Sequence, residues 1–320
     1  MMVSGERREG RSTWYFLVLV VVNLMWSFQY TGARIATRRL GPITVTLVPM
    51  AMATVLLSLL LLSRRRKGRG EVSSDRGSFG QQLLGFVVLG IGGSFVGQVC
   101  LTSGVKHSLA SNASVITLVI PVLTAFLATL LVGERMSPLL WISFALAIVG
   151  VLLVSDVDWR TVHIFHGKYL AGNALILVGC FGNAFYNAFS KRLLRLFTPL
   201  EVLVYSFIVA DVALFLAMLV REPLSWRQLA SLGFTVWLSL GMIAIFCLTL
   251  AMILFFWIIK RIDLTQASLS IYLLPVFGVL ISTLTLKEKI RWELLAGGIL
   301  VFVGTFLATR YGERKRVGEG

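Results

Sequence analysis

Charged residues are scarce in this sequence, and acidic residues are the scarcest. Of 320 residues only 14% are charged, with 15 Asp and Glu against 30 Lys and Arg, whereas 57% are hydrophobic. Soluble domains carry about 25% charged and about 45–50% apolar residues, so this composition excludes an ordinary soluble domain and a disordered chain. A helix that crosses a bilayer needs about 20 apolar residues. We therefore predict an all-α polytopic membrane protein embedded in a lipid bilayer.

Cysteine and histidine are rare as well, with three residues of each. Cys100, Cys180 and Cys247 all lie in apolar runs, which excludes a disulfide framework and favours a packing role. His163 and His166 have the spacing of a metal pair, but no third ligand is near them in the sequence, so we expect no metal site. Glycine-rich phosphate loops, HExxH and Gly-x-Ser-x-Gly motifs are absent, so we expect no enzyme, no catalytic residue and no cofactor.

Basic residues give the chain a formal net charge of +15, and they cluster between apolar runs, as at 64–67 and 314–316. Such clusters orient membrane proteins and contact anionic headgroups. Because no basic stripe alternates with exposed aromatic residues, we expect no nucleic-acid partner. With the N-terminus inside, the inner segments hold 19 Lys and Arg and the outer segments 11. This asymmetry predicts a plasma-membrane (bacterial inner-membrane) protein whose tails, 1–13 and 311–320, are both cytoplasmic.

Apolar runs bounded by turn and charge signals predict ten transmembrane helices. Their approximate bounds are residues 14–33, 42–63, 80–104, 109–132, 138–156, 168–190, 199–219, 232–259, 264–286 and 292–310. Pro42, Pro138 and Pro199 stand where a helix is predicted to begin, at a position whose backbone N–H has no partner in any helix. Gly133 is predicted to end the fourth helix.

Two segments of the chain repeat each other. Residues 109–153 align without a gap on residues 263–307, at an offset of 154. The matched pairs include residues that seldom coincide by chance: Pro121 and Pro275, Glu134 and Glu288, Gly150 and Gly304. The helices before them match more weakly at an offset of 157, as Arg34 does with Lys191 and Pro42 with Pro199. An odd number of crossings inverts the second copy in the bilayer, so we predict two inverted five-helix repeats, 14–156 and 157–310.

The same residues carry a resemblance to a known family. An Ala-Ser pair at 113–114 precedes Pro121, and the Gly-Glu-Arg sequence at 133–135 precedes Gly150; Asn-Leu-Met-Trp-Ser occupies 23–27. This pattern resembles the EamA family of the drug/metabolite transporter superfamily over nearly the whole chain. The second copy departs from it, with Lys287 where the family usually has Gly before the Glu. The resemblance implies a ten-helix carrier for small metabolites and leaves the substrate open.

Polar side chains form a stripe on the first helix of each half. The first helix carries Asn23, Trp26 and Tyr30 near one face, and the sixth carries Asn183, Tyr186, Asn187 and Lys191. Polar groups inside a bilayer usually face a cavity or another helix. We interpret the stripes as the lining of a central substrate pathway, because they recur in both halves; the alternative is that they only hydrogen-bond neighbouring helices together.

Further residues are candidates for the lining or for motion. Gln98 and Thr102 of the third helix and Trp257 near the end of the eighth are candidate lining residues, although aromatic residues there also suit packing or a membrane interface. Pro121 and Pro275 each remove a backbone N–H inside a helix, which makes both candidate pivots.

Three acidic residues in or near the predicted helices are interpreted in two ways. Asp211, well inside the seventh helix, is a candidate for coupling transport to an ion; the alternative is a carboxyl group paired with Ser, Tyr or backbone. Its repeat equivalent is Thr54, which is not ionisable. Glu134 and Glu288 lie in short connections, where we expect each to cap the following helix or to pair with the adjacent Arg135 and Lys289.

These observations favour a secondary transporter that moves a small metabolite, an amino acid or drug-like compound, by alternating access, with export as the expected direction. The alternatives from other classes are a membrane scaffold and a flippase for lipid-linked substrates. We expect a small-molecule substrate and a coupling ion as partners, and either a monomer or a homodimer.

Overall fold

The computed structural model describes residues 2–67, 79–108, 116–154, 160, 162, 167–222, 231–286 and 292–318, and within these ranges the chain is helical without any strand. We label the helices in chain order. They are α1 (Met2–Ala36), α2 (Pro42–Arg66), α3 (79–106), α4 (Val119–Val132), α5 (Pro138–Val154), α6 (Gly167–Leu193), α7 (Pro199–Arg221), α8 (234–259), α9 (264–286) and α10 (Trp292–Gly318).

The helices have the composition of membrane spans. Among the described residues, five helices are long and apolar enough to cross a bilayer, namely α2, α3, α6, α7 and α8. Shorter apolar stretches lie in α1, α4, α5, α9 and α10. Large apolar side chains remain exposed along the helices, such as Leu59 on α2 and Leu216 on α7. The prediction of an all-helical protein is therefore confirmed for the described residues, and its apolar helices are consistent with a membrane protein.

Local sequence explains where several helices begin and end. As predicted, α2, α5 and α7 begin at Pro42, Pro138 and Pro199. At the start of α7, the Thr198 side chain accepts from the backbone N–H of Glu201, whose carboxylate accepts from Thr198 in return, which forms a capping box. Gly133 ends α4 with a φ of 79°, in the left-handed region that suits glycine.

The sequence predicted continuous helices at three positions where the structure has interrupted ones. A π-helical segment occupies Leu89–Phe95 of α3, and another occupies Ile243–Ala251 of α8. In α9, the first helical turns, Leu264–Leu269, pass through a 3₁₀ turn, Ser270–Tyr272, before the helix resumes. Wider or tighter turns leave backbone carbonyls with weakened helical bonds, so other groups can bond to them.

Glycines let α3 and α6 approach each other closely. A Cβ built on Gly182 would lie 2.6 Å from the backbone nitrogen of Gly97, and one built on Gly179 would lie 2.5 Å from that of Leu101. Such small residues allow backbones to pack together inside a membrane. The two helices therefore share a fixed contact that a larger side chain would disrupt.

Contacts between α2 and α7 occur in pairs related by the sequence repeat. The backbone N–H of Thr44 donates to Glu222 at 3.0 Å near one end of the two helices. Arg65 donates to Glu201 at 3.2 Å near the other end. At the offset of 157, Thr44 is equivalent to Glu201 and Arg65 to Glu222. Since the start of each helix meets the end of the other, α2 and α7 run in opposite directions.

Contacts between α5 and α10 are paired in the same way. A Cβ on Gly150 would lie 2.6 Å from the carbonyl oxygen of Gly297, and a Cβ on Gly304 would lie 2.9 Å from that of Ser143. At the offset of 154, Ser143 is equivalent to Gly297 and Gly150 to Gly304. These two helices are therefore antiparallel as well, and small residues bring their backbones into contact.

Glu134 has different partners from those that the sequence suggested. Its carboxylate accepts from the backbone N–H groups of Leu264 (2.7 Å) and Thr265 (2.9 Å), and its Oε1 lies 2.9 Å from Lys191 Nζ. The expectation that Glu134 caps the following helix or pairs with Arg135 was thus wrong. The helix it caps is α9, whose first N–H groups have no partner within the helix. Glu288 and Lys289 lie outside the described residues.

Candidate functional site

Asn23 joins α1 to the irregular turn of α9. Its side chain has no solvent exposure, and its amide donates to the carbonyl of Leu19 (2.7 Å) and to Ser270 Oγ (2.9 Å). Its Oδ1 is buried and has no hydrogen-bond partner among the described residues. The equivalent contact in the repeat joins Cys180 Sγ to the carbonyl of Ile116, at 3.9 Å.

Trp26 is fixed against the π-helical segment of α8. Its indole Nε1 donates to the carbonyl of Cys247 at 3.1 Å, and the thiol of Cys247 donates to the carbonyl of Met25 at 3.1 Å. The centroid of the Trp26 ring lies 5.0 Å from that of Phe255, while the side chain remains half-buried. Trp26 therefore presents an aromatic ring whose N–H already has a partner in α8.

The polar residues of α6 contact the neighbouring helices α3 and α7. Asn183 donates to its own helix at the Gly179 carbonyl (2.9 Å) and packs against α3. The buried Tyr186 hydroxyl lies 3.1 Å from Ser206 Oγ of α7. Because Ser206 Oγ donates to the Val202 carbonyl, the Tyr186 hydroxyl is the donor. Asn187 is half-buried.

Two phenylalanines of α8 connect the two stripes. Ring centroids are 5.0 Å apart for Trp26 and Phe255, 6.4 Å for Phe255 and Phe256, and 6.0 Å for Phe256 and Tyr186. Such separations are typical of interacting aromatic rings. The structure thus links Trp26 of the first half to Tyr186 of the second through α8. Phe255 was missed in the sequence, because an apolar residue inside an apolar helix gives no distinctive signal.

Other predicted lining residues lie apart from this chain of rings. The hydroxyl of the half-buried Thr102 donates to its own helix at the Gln98 carbonyl, 2.7 Å away. Trp257 stacks with the Arg261 guanidinium, 3.8 Å from the ring centroid, and meets Tyr15 edge-on at 6.0 Å. Aromatic and basic side chains of this kind are typical of a membrane interface. The side chain of Tyr30 lies outside the described residues.

Pro121 and Pro275 occupy equivalent places just after an interruption. Pro121 is the third residue of α4, which begins after a turn at Leu118, and Pro275 is the third residue after the 3₁₀ turn of α9. The hydroxyl of Tyr272 donates to the Leu118 carbonyl at 2.8 Å, and Ser268 Oγ lies 3.4 Å from the Pro121 carbonyl. Two backbone carbonyls at the beginning of α4 thus accept hydrogen bonds from side chains of α9, and sequence reasoning had not singled out Tyr272.

Asp211 contacts its own repeat equivalent. Thr54 Oγ1 lies 2.5 Å from Asp211 Oδ2, and the same hydroxyl donates to the Met50 carbonyl at 2.9 Å. Asp211 Oδ1 is buried without a hydrogen-bond partner among the described residues. Two residues that are equivalent by the sequence repeat thus contact each other.

Known proteins resemble this chain over most of its length. An uncharacterized transporter of Archaeoglobus fulgidus is 23% identical over 298 residues, which cover 92% of this chain and 98% of the relative. A probable terminal-alkyne amino-acid exporter of Streptantibioticus cattleyicolor is 26% identical over 298 residues, 92% of each protein. A crystal structure with 20% sequence identity shares the fold with a TM-score of 0.76, over 95% of this chain and 99% of that one.

The sequence model of one family matches the chain twice. The matched residues are 13–156 and 170–310, which together make up most of the protein. The first match contains α2 and α5, and the second contains α7 and most of α10. These are the helices whose contacts pair residues that are equivalent by the repeat. The chain therefore belongs to the EamA-like transporter family.

Proposed function

We propose that this transporter is a secondary carrier of two inverted five-helix repeats, residues 14–156 and 157–310, that moves a small metabolite by alternating access. The observation that carries the proposal is the recurrence of contacts between the halves in equivalent pairs. The pairs are Thr44–Glu222 with Glu201–Arg65, Gly150–Gly297 with Gly304–Ser143, and Asn23–Ser270 with Cys180–Ile116. A two-fold axis in the membrane plane produces such pairs, and inverted repeats let a central site open to alternate faces.

The pathway that we propose runs between the two polar stripes. Neutral amides and aromatic rings alternate there: Asn23 and Trp26 on α1, and Asn183, Tyr186 and Asn187 on α6. Few polar groups set in an apolar, aromatic wall suit a small polar or amphipathic molecule. An amino acid or a drug-like compound fits this chemistry, and the relative that is named an amino-acid exporter favours export.

Flux through reconstituted proteoliposomes tests the proposal. Trp26→Phe keeps an aromatic ring and removes the N–H that bonds the Cys247 carbonyl, so we expect lower flux of the transported amino acid at unchanged expression. Trp141→Phe is the matched control, because Trp141 is 56% exposed on α5 and should leave flux unchanged. Wild-type vesicles that move no member of a panel of amino acids, nucleosides, sugars and cationic drugs would contradict the proposal.

The same vesicles separate the alternatives. A flippase for lipid-linked substrates would move a fluorescent lipid between leaflets without moving the metabolite panel. A scaffold would move neither. Dependence of each signal on the protein, measured against empty vesicles, decides between the three functions.

We propose Asp211 as the group that couples transport to a cation, with the proton as the first candidate. The Thr54 hydroxyl has one hydrogen but two acceptors within reach, the Met50 carbonyl and Asp211. A protonated Asp211 supplies the missing hydrogen. Asp211→Asn keeps the shape of the side chain, so we expect exchange of labelled for unlabelled substrate to continue while uptake driven by a pH gradient disappears. Equal gradient-driven uptake in both proteins would contradict this role.

We further propose that both termini are cytoplasmic and that the protein lies in the plasma membrane. Tyr15 of α1 contacts the ring of Trp257 near the end of α8, and this contact supports the assignment, because both residues lie near the cytoplasmic face in a ten-span chain that starts inside. Protease protection of a tag on either terminus in oriented vesicles tests the assignment.

A further inference from the structure

One link between helices joins the two halves at a single membrane face. The connection 133–137 leads from α4 to α5 in the first half and carries Glu134. Glu134 accepts three hydrogen bonds from α9 of the second half, from the N–H groups of Leu264 and Thr265 and from the hydroxyl of Thr265 (2.8 Å). One carboxylate of the first half thus holds the beginning of a helix of the second half.

A cation from a third helix completes this cluster. Lys191, near the end of α6, places its Nζ 2.9 Å from Glu134 Oε1 and donates to the carbonyl of Ile262, just before α9. Close by, Arg195 donates to the carbonyl of Val132 at the end of α4, at 2.7 Å. The ends of α4 and α6 and the beginning of α9 are therefore tied together.

The cluster is shielded from water. The side chains of Glu134 and Lys191 are only 7% and 13% exposed. Salt screens such a pair little, and separating it in a dry protein is costly. If the two halves move apart and water enters, however, both charges are hydrated and the cost falls. A pair of this kind is stable when the face is closed and can be broken when it opens.

The Glu134 cluster differs from the contacts that Glu222 and Glu201 make between the halves. The contact of Glu222 with Thr44 has its repeat equivalent, Glu201 with Arg65, present at the same time. If each half adopts the conformation of the other, each of these two contacts takes the place of the other, and both remain present. By sequence, Glu134 and Lys191 are equivalent to Glu288 and Arg34, and Glu288 lies outside the described residues.

We propose that Glu134, Lys191 and the beginning of α9 form a latch that holds this face of the carrier closed and that must open during transport. The inference rests on the proposed alternating-access function. Arg261, whose guanidinium stacks on Trp257, directly precedes Ile262, whose carbonyl Lys191 bonds. The latch ties the ends of α4 and α6 to the beginning of α9.

Chemical labelling of a buried position behind the latch tests the inference. Ser268 lies one turn beyond Thr265 on α9, is fully buried, and faces the Pro121 carbonyl. Ser268→Cys is introduced after the three native cysteines are replaced by Ala, and its reaction with a membrane-impermeant maleimide is timed in the full-length protein.

Two variants weaken the latch in different ways. Lys191→Met removes the ion pair and leaves the hydrogen bonds between Glu134 and α9 in place, whereas Glu134→Gln weakens both the ion pair and those hydrogen bonds.

We expect both variants to be labelled about tenfold faster than the parent protein. A factor of that size lies within the range that is usual for coupling between a site and a conformational change. Lys191→Arg should restore slow labelling, because it keeps the charge. Glu222→Gln is the matched control, since it weakens a side-chain cap on α2 at the opposite end, and it should label as slowly as the parent. Unchanged labelling in a folded Lys191→Met protein would overturn the latch.

The two proposals can fail independently. Labelling needs no substrate, so faster labelling in the variants together with no flux in any assay supports the latch and contradicts the carrier function. Normal flux together with unchanged labelling supports the carrier function and overturns the latch. Elution volume and thermal unfolding of each variant identify any protein that has failed to fold. If Glu134→Gln fails to fold, Lys191→Met and Lys191→Arg decide the outcome.

Discussion

Replacing Gly182 by Ala should force α3 and α6 apart. The added Cβ would lie 2.6 Å from the backbone nitrogen and 2.7 Å from the Cα of Gly97, and 3.3 Å from the carbonyl oxygen of Gly93. Carbon atoms pack at about 3.5–4.0 Å, so the two helices have to separate by about 1 Å locally. All three neighbouring atoms belong to backbone, and no change of side-chain rotamer relieves the contact.

The magnitude follows from comparison with a second glycine. Overpacking of this kind costs about 1–3 kcal/mol. An Ala in a helix interior is also favoured over Gly by about 1 kcal/mol, which partly offsets the cost. Gly241→Ala in α8 receives the same propensity gain, but a Cβ there has nothing within 4 Å. The difference between the two variants therefore isolates the overpacking term, and Gly182→Ala should be the less stable by about 1–3 kcal/mol.

Unfolding in detergent micelles measures this difference. Purified variants are titrated with sodium dodecyl sulfate, and the free energy of unfolding is obtained from tryptophan fluorescence. Equal free energies for Gly182→Ala and Gly241→Ala would contradict the backbone contact between α3 and α6 at Gly182 and Gly97.

Three further outcomes concern helix ends. Burial alone would raise the pKa of Glu134, but the Lys191 ammonium and the backbone N–H groups of α9 outweigh it and hold the pKa below its ordinary value. The stability that Glu134 contributes is therefore complete above the ordinary pKa of a glutamate, about 4.3, and is lost as the pH falls through the lowered pKa, which a pH series of thermal unfolding should show for the parent and not for Glu134→Gln. Thr198→Ala removes the cap of α7 and should cost about 1 kcal/mol in the same micelle titration, whereas an unchanged midpoint would contradict the capping box. Glu222→Gln should cost about 0.5–1.5 kcal/mol, because a neutral amide bonds the first turn of α2 less strongly than a carboxylate.

Much of the fold could be predicted because its signals are local. A proline at a helix start and a glycine in the left-handed region act through their own backbone, so the beginnings of α2, α5 and α7 and the end of α4 could be located in advance. Long apolar runs with few charges required helices in a bilayer, since an unpaired backbone group is too costly there. The repeat offsets of 154 and 157 were likewise visible in the sequence and later matched pairs of contacts.

The candidate site was predictable only in part. Asn23, Trp26, Asn183 and Tyr186 stood out because polar side chains are rare in apolar helices, but their spacing could not reveal which helix each one would contact. Phe255 carried no such signal. The π-helical segments were missed for a related reason, because an extra residue in one turn changes hydrogen bonding without changing the apolar pattern.

The sequence by itself determined that the chain is helical, spans a membrane and contains two related halves, because composition, helix-end residues and internal similarity depend on local chemistry or on comparison of the chain with itself. Only the tertiary structure decided that Glu134 binds the beginning of α9 and Lys191 rather than its neighbours. A carboxylate bonds whichever donors the packing brings near, and the donors here come from 57 and 130 residues away along the chain.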